Sequence, residues 1–201
     1  MRRYWSKIWS RLVLSLGVLW LAVAFPAPAA TLYRIDQRYG SLEFSIRALG
    51  LFTVQGRFPR FDGHLLLDLD QPERSHIDVS IDASAVELPL QDQTDLLRSD
   101  AYFDTAHHPT ERFTSTSIQA LSPTHYIIHG TLRIRGVTQP QDLDATLRDR
   151  RVDQARGVEV ADFVVRGEVR RSAFGMVADR PMLSDTVKLD IRIHLEVGLA
   201  R

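Results

Sequence analysis

Cysteine is absent from all 201 residues. Its absence excludes a disulfide scaffold, thiol catalysis, cysteine-ligated zinc and a lipid-modified N-terminal cysteine. The chain also lacks a glycine-rich phosphate loop, a Gly-x-Ser-x-Gly elbow and a His-Glu-x-x-His motif. With them go the usual sequence signs of nucleotide binding, serine hydrolysis and zinc proteolysis. There is no net charge, 25 Lys and Arg balancing 25 Asp and Glu. That balance hides a segregation. Arg2, Arg3, Lys7 and Arg11 fall in the first 29 residues, which hold no acid, and the remainder has 21 basic against 25 acidic groups. A mildly acidic surface has the wrong sign to displace counterions from phosphates, so nucleic acid is not an expected partner.

The first 29 residues read as an export signal. A basic stretch to Arg11 precedes an apolar run, Leu12 to Phe25, and small residues close it at Ala27-Pro28-Ala29. That order is the secretory one, with cleavage expected after Ala29. The apolar run is short of the ~20 residues a membrane-spanning helix needs. All three tryptophans (Trp5, Trp9, Trp20) lie in this segment, so the exported protein is expected to lack tryptophan fluorescence. We therefore expect residues 1–29 as signal peptide and 30–201 as one periplasmic domain. Without a covalent staple that domain must rest on its hydrophobic core, which its length allows.

Period-two alternation runs through the domain. Leu42, Phe44, Ile46 and Ala48 share one face, as do Leu65, Leu67 and Leu69, then Ile77, Val79 and Ile81. Ile128, Leu132 and Ile134, then Leu143, Ala145 and Leu147, and finally Val187 through Val197 continue the pattern. Further stretches near Tyr33, Phe58, Phe113 and Phe163 bring the count to between eight and ten strands, and turn signals such as Asp62-Gly63 and Arg135-Gly136 separate them. Only Asp92 to Asp100 breaks the pattern, as a short helix that Pro109 prevents from continuing. Many antiparallel strands with one apolar face form a sandwich or a closed barrel. Periodicity alone leaves both open.

Chemistry-bearing groups are sparse. His107 and His108 lie beside Asp104, but adjacent strand residues point to opposite faces, so a solvated loop is the better reading than a metal site. The remaining histidines fall on polar strand phases or in loops. Arg170 and Arg171, beside Ser172, are the candidates to meet an anionic head group. The aromatics are more informative. Phe44, Phe58, Phe103, Phe113, Phe163 and Phe174, with Met176 beside the last, are spread over most strands and the helical insert. If the strand faces converge, these side chains, together with Ile46, Ile81, Leu132 and Ile134, line one interior. Whether that interior is packed or open is beyond a pattern of phases.

Several ordered segments resemble the YceI-like family of exported lipid-binding proteins. They are Tyr33-Arg34-Ile35-Asp36, Leu42-Glu43-Phe44-Ser45-Ile46, Val54-Gln55-Gly56-Arg57-Phe58, and most specifically Leu97-Arg98-Ser99-Asp100-Ala101-Tyr102-Phe103-Asp104. Phe113-Thr114-Ser115, the run Gly130 to Pro140 and Arg171-Ser172-Ala173-Phe174-Gly175-Met176 follow in the family's order, covering the chain from about residue 32 to 197. The resemblance implies an all-β fold, an extended eight-stranded antiparallel lipocalin-like barrel with a short helical insert. It also implies a non-catalytic carrier that holds a polyisoprenoid lipid, an isoprenoid quinone or a polyprenyl phosphate, and needs no cofactor or metal. Transient membrane contact and a homodimer through an open sheet edge fit the same picture. Two positions depart from the family pattern, Ala48 and Leu96, where members often carry histidine. A ligand-free interaction or stress-response module with a solid core is the alternative.

Overall fold

The computed structural model describes residues 30–68 and 71–198. The expected signal segment, together with Leu69 and Asp70, lies outside the described residues. Ten strands follow one another in the chain: β1 (Thr31–Asp36), β2 (Gly40–Ala48), β3 (Phe52–Arg57), β4 (Phe61–Leu67), β5 (His76–Asp82), β6 (Thr110–Ser122), β7 (His125–Ile134), β8 (Val137–Asp153), β9 (Val158–Arg170) and β10 (Leu183–Gly198). All ladders are antiparallel, in the order β1-β4-β5-β6-β7-β8-β9-β10-β2-β3. The sheet curls so that its apolar faces meet, which selects the barrel over the sandwich. Ten strands stand where eight were expected. The extra pair are the short outermost strands β1 and β3, each laddered on one side only.

Local chemistry explains the long hairpins. Arg135 and Gly136 both take positive φ, 51° and 75°, in the two-residue turn that pairs Ile134 with Val137. Such turns match the right-handed twist of the flanking strands. Leu49 and Gly50, at 52° and 69°, also take positive φ, in the three-residue loop that joins Ala48 of β2 to Phe52 of β3. Pro140 sits within β8 without breaking it, because the β8–β9 ladder begins only at Asp144–Arg166 and leaves β8 an edge there. At that gap the Gln141 side chain substitutes for the ladder, Nε2 donating to the Glu168 carbonyl at 3.2 Å.

The single α-helix among the described residues, α1 (Gln91–Arg98), matches the expected insert. It leads into a compact turn in which the Phe103 N–H reaches the Leu97 carbonyl at 3.0 Å and the Asp104 N–H reaches Ser99 at 2.8 Å. This turn lays Tyr102 and Phe103 over the end of the barrel where β6 begins. A one-turn 3₁₀ helix, Pro72–Arg74, sits at the opposite end, after β4.

Candidate functional site

The curled faces do not fill the space between them. They enclose a channel of about 250 Å³ lined from the Pro72 end to the α1 end, almost wholly by apolar side chains. Its wall from Tyr126 to Ile134 follows nine residues, eight steps, of β7. At ~3.4 Å per residue and a barrel tilt near 40°, that is about 20 Å along the axis. The void is therefore long and narrow.

Close-approach glycines keep it open. A Cβ on Gly56 would stand 2.3 Å from the tip of the Phe44 ring, and one on Gly130 would stand 2.6 Å from Phe113. Both rings reach over a neighbouring strand's bare backbone, into space that a side chain there would fill. Leu143 covers Gly167 in the same way, at 2.6 Å. Three of the rings form a short chain near α1. Phe44 and Phe58 are 5.4 Å apart between centroids, and Phe58 meets Phe103 edge-on at 5.5 Å. Each such pair is worth ~0.5–1.5 kcal/mol beyond area burial.

Of the side chains expected to line the interior, Phe44, Ile46, Phe58, Ile81, Phe103, Phe113, Leu132, Ile134, Phe163 and Met176 lie on the channel wall. Phe174 does not. It is buried, but with Arg170 it borders a shallow outer depression over the β8–β9 gap. Arg170 is exposed and turned away from the lumen. Arg171 does reach the wall, yet is only 2% exposed. Its Nε donates to the Ser184 carbonyl at 2.9 Å, Nη1 to Met176 and Ala178 at 2.9 and 2.7 Å, and Nη2 to Leu183 at 3.2 Å. Four of its five N–H donors are thus committed to main-chain carbonyls. The geometry makes it a staple of the β9–β10 connection. Ala48 and Leu96 stay off the channel wall, although Leu97 is on it.

Arg171 apart, sequence reasoning passed over the polar groups that line the channel. Glu111, at the start of β6, is 3% exposed. Its two carboxyl oxygens share one donor, the Arg135 N–H of the tight turn, at 3.3 and 3.1 Å. Burial in this apolar wall pushes the carboxyl up to about 7, against smaller opposing effects of the Arg135 N–H and the charges of Arg133 and Arg135. A signal was present: Glu111 has the phase of Phe113, an acid on the apolar side of a strand. Tyr102 lines the same end, where its hydroxyl donates to Asp179 and burial pushes it up to about 12. Asp68 lines the other end, accepting the Gln71 N–H at 2.9 Å. His107 is exposed, 2.8 Å from Asp104.

A half-barrel of antiparallel strands around an apolar channel defines a class of small binding folds. Within it, a family model described as a YceI-like domain matches residues 33–195, and the chain belongs to that family. Protein YceI of Escherichia coli O157:H7 is 30% identical over 183 residues, 89% of this chain and 95% of that protein. The Campylobacter jejuni YCEI protein superposes with a TM-score of 0.69 at 25% identity, covering 76% of this chain and 90% of that one. A polyisoprenoid binding domain from Saccharophagus degradans superposes with a TM-score of 0.58 at 14% identity, covering 84% and 99%, a likeness of fold.

Proposed function

We propose that this protein is an exported, non-catalytic carrier that holds a polyisoprenoid lipid, an isoprenoid quinone or a polyprenyl phosphate, in its channel. The observation that carries the reading is the channel itself: about 250 Å³, continuous, and walled by apolar side chains from nine of the ten strands. A void of ~150 Å³ already suffices for a benzene-sized guest. This one lies just under the ~300 Å³ at which ordinary ligand pockets begin, but its length suits one branched hydrocarbon chain better than a bulky ring system. Each buried methylene contributes roughly 0.8 kcal/mol, so ten carbons offer about 8 kcal/mol before ordering costs. The polyisoprenoid binding ascribed to the Saccharophagus domain supports the ligand class. The basic, apolar and small-residue zones of residues 1–29 support export to the periplasm.

The lining speaks against hydrolytic chemistry on the guest. Glu111 and Asp68 are its carboxylates among the described residues, and they sit at opposite ends. From Phe61, laddered to Ile81 and through it to Glu111, to Asp68 just past the end of β4 is seven residue steps, roughly 23 Å. No convergent carboxylate pair results. The test is native mass spectrometry of protein purified from cells without detergent. A co-purifying lipid mass, together with a raised unfolding temperature on adding an isoprenoid, is the expected result. A bare protein mass and an unmoved transition would leave the packed module as the reading.

A further inference from the structure

The channel is apolar nearly throughout, and Glu111 is the exception that the fold does not satisfy. A carboxyl group offers about four acceptor sites when ionised, and one donor with the rest when protonated. Here a single shared backbone N–H serves both oxygens. The other polar groups at this end are occupied: Arg171 by four carbonyls, Tyr102 by Asp179. Glu111 is more than nine-tenths buried, lines the void, and keeps hydrogen-bonding capacity that no group among the described residues uses. A buried polar group left this way costs free energy unless a guest completes it.

We propose that Glu111 is the polar anchor of the channel, hydrogen-bonding a neutral hydroxyl or carbonyl oxygen on the end group of the bound lipid and turning away an anionic one. This rests on the carrier reading and narrows it. An ionised Glu111 accepts from a hydroxyl, and a protonated one donates to a carbonyl, so either state serves a neutral oxygen. A phosphate monoester at this end would meet a carboxyl where it needs a donor. The guanidinium on the lining has one N–H left to offer.

The experiment compares three C20 compounds of like shape: geranylgeraniol, geranylgeranyl monophosphate and the hydrocarbon phytane. Each is titrated into delipidated protein, wild type, Glu111→Gln and Glu111→Leu, and adducts are counted by native mass spectrometry. The expected order for wild type puts the alcohol roughly tenfold tighter than both the phosphate and the hydrocarbon, about the worth of one hydrogen bond. Glu111→Leu should bring the alcohol down to the level of phytane, with phytane itself within about twofold of wild type. Glu111→Gln, which keeps the shape and hydrogen bonding but loses the charge, should retain the alcohol and gain phosphate severalfold. Alcohol binding unchanged in Glu111→Leu, or phosphate binding tightest to wild type, overturns the anchor and leaves the carrier standing. Binding of none of the three overturns the carrier reading and the anchor with it.

Discussion

Two buried charged side chains line the same channel and stand in opposite situations. Arg171, at the β9–β10 corner, has main-chain carbonyls on four of its five donors. Glu111, at the β6–β7 wall, has one shared N–H for two oxygens. Both are at most 3% exposed, so water relieves neither. A saturated ion holds a fold together and has little left for a ligand. An unsaturated carboxyl weakens the fold and is available for chemistry. Burial alone would have ranked the two alike; counting donors against acceptors separates them.

The largest expected effect is at the saturated corner. Arg171→Met keeps the apolar stem and removes every donor, stranding four carbonyls, that of Met176 buried and the other three partly buried. A loss of about 3–5 kcal/mol follows, as for breaking a buried, fully bonded charge. The urea midpoint at neutral pH measures it. A loss under 1 kcal/mol would mean that water enters the corner, and the contrast with Glu111 would collapse.

The second effect has the opposite sign. The Glu111 carboxyl titrates near 7 in the folded chain against about 4.5 unfolded. Between those values the native state binds more protons than the unfolded one, so stability falls as pH rises through that window. The penalty is absent below pH 4.5 and complete above about 7, on the order of 3 kcal/mol. Glu111→Gln removes it. The variant should match wild type at pH 4 and exceed it by up to about 3 kcal/mol at pH 8.5, read from urea midpoints across pH. A constant difference at all pH values would show that the carboxyl does not titrate in this window.

The contrast also marks what the sequence made legible. Alternation placed β2, β5, β7 and β10, and the break at Asp92 to Asp100 placed α1, because each rests on one local period. Seven of the lining side chains, Phe44, Ile46, Ile81, Phe113, Leu132, Ile134 and Phe163, were readable for the same reason: strand phase decides which face a residue takes. Strand number was not, since whether short segments such as Phe52–Arg57 pair depends on partners far along the chain. Arg171, expected to meet a head group, is a staple instead, and that role was invisible because its four carbonyls come from an irregular connection with no period. Phe174 has a strand-like neighbourhood in sequence but lies in a 3₁₀ turn, so its phase misled. The void escaped too. It depends on rings lying over Gly56 and Gly130, which are cross-strand relations that residue phases do not encode.

Those glycines supply the third test, which asks whether Glu111 faces open space. Gly56→Ala puts a Cβ where only the Phe44 ring stands, so the ring must swing toward the lumen. Overpacking costs about 1–3 kcal/mol, offset by ~0.4–1 from a stiffer unfolded chain. A net loss near 1 kcal/mol is expected, with a severalfold drop in isoprenoid binding measured by native mass spectrometry. Stability lost with binding unchanged would mean that the ring moves outward and the channel does not depend on it.

The smallest effect belongs to the water-facing side of the same sheet and has the same pH slope, but as a stabilisation lost on raising the pH instead of a penalty gained. His194 on β10 lies 2.5 Å from Asp162 across the ladder and 3.1 Å from Glu196, and these carboxylates raise its pKa. A histidine raised in the folded state stabilises below its unfolded value near 6.5, and that contribution is lost as pH rises through the folded one. Its side chain is 39% exposed, so screening holds the effect within the ~0.2–1 kcal/mol of an exposed pair. In a Glu111→Gln background, where the interior carboxyl no longer titrates, His194→Gln should lower stability by a few tenths of a kcal/mol at pH 5.5 and leave it unchanged at pH 9. A difference that instead grew with pH would place an ionising group on the outer face that behaves as Glu111 does, and the division between a solvated exterior and an unsatisfied interior carboxyl would fail.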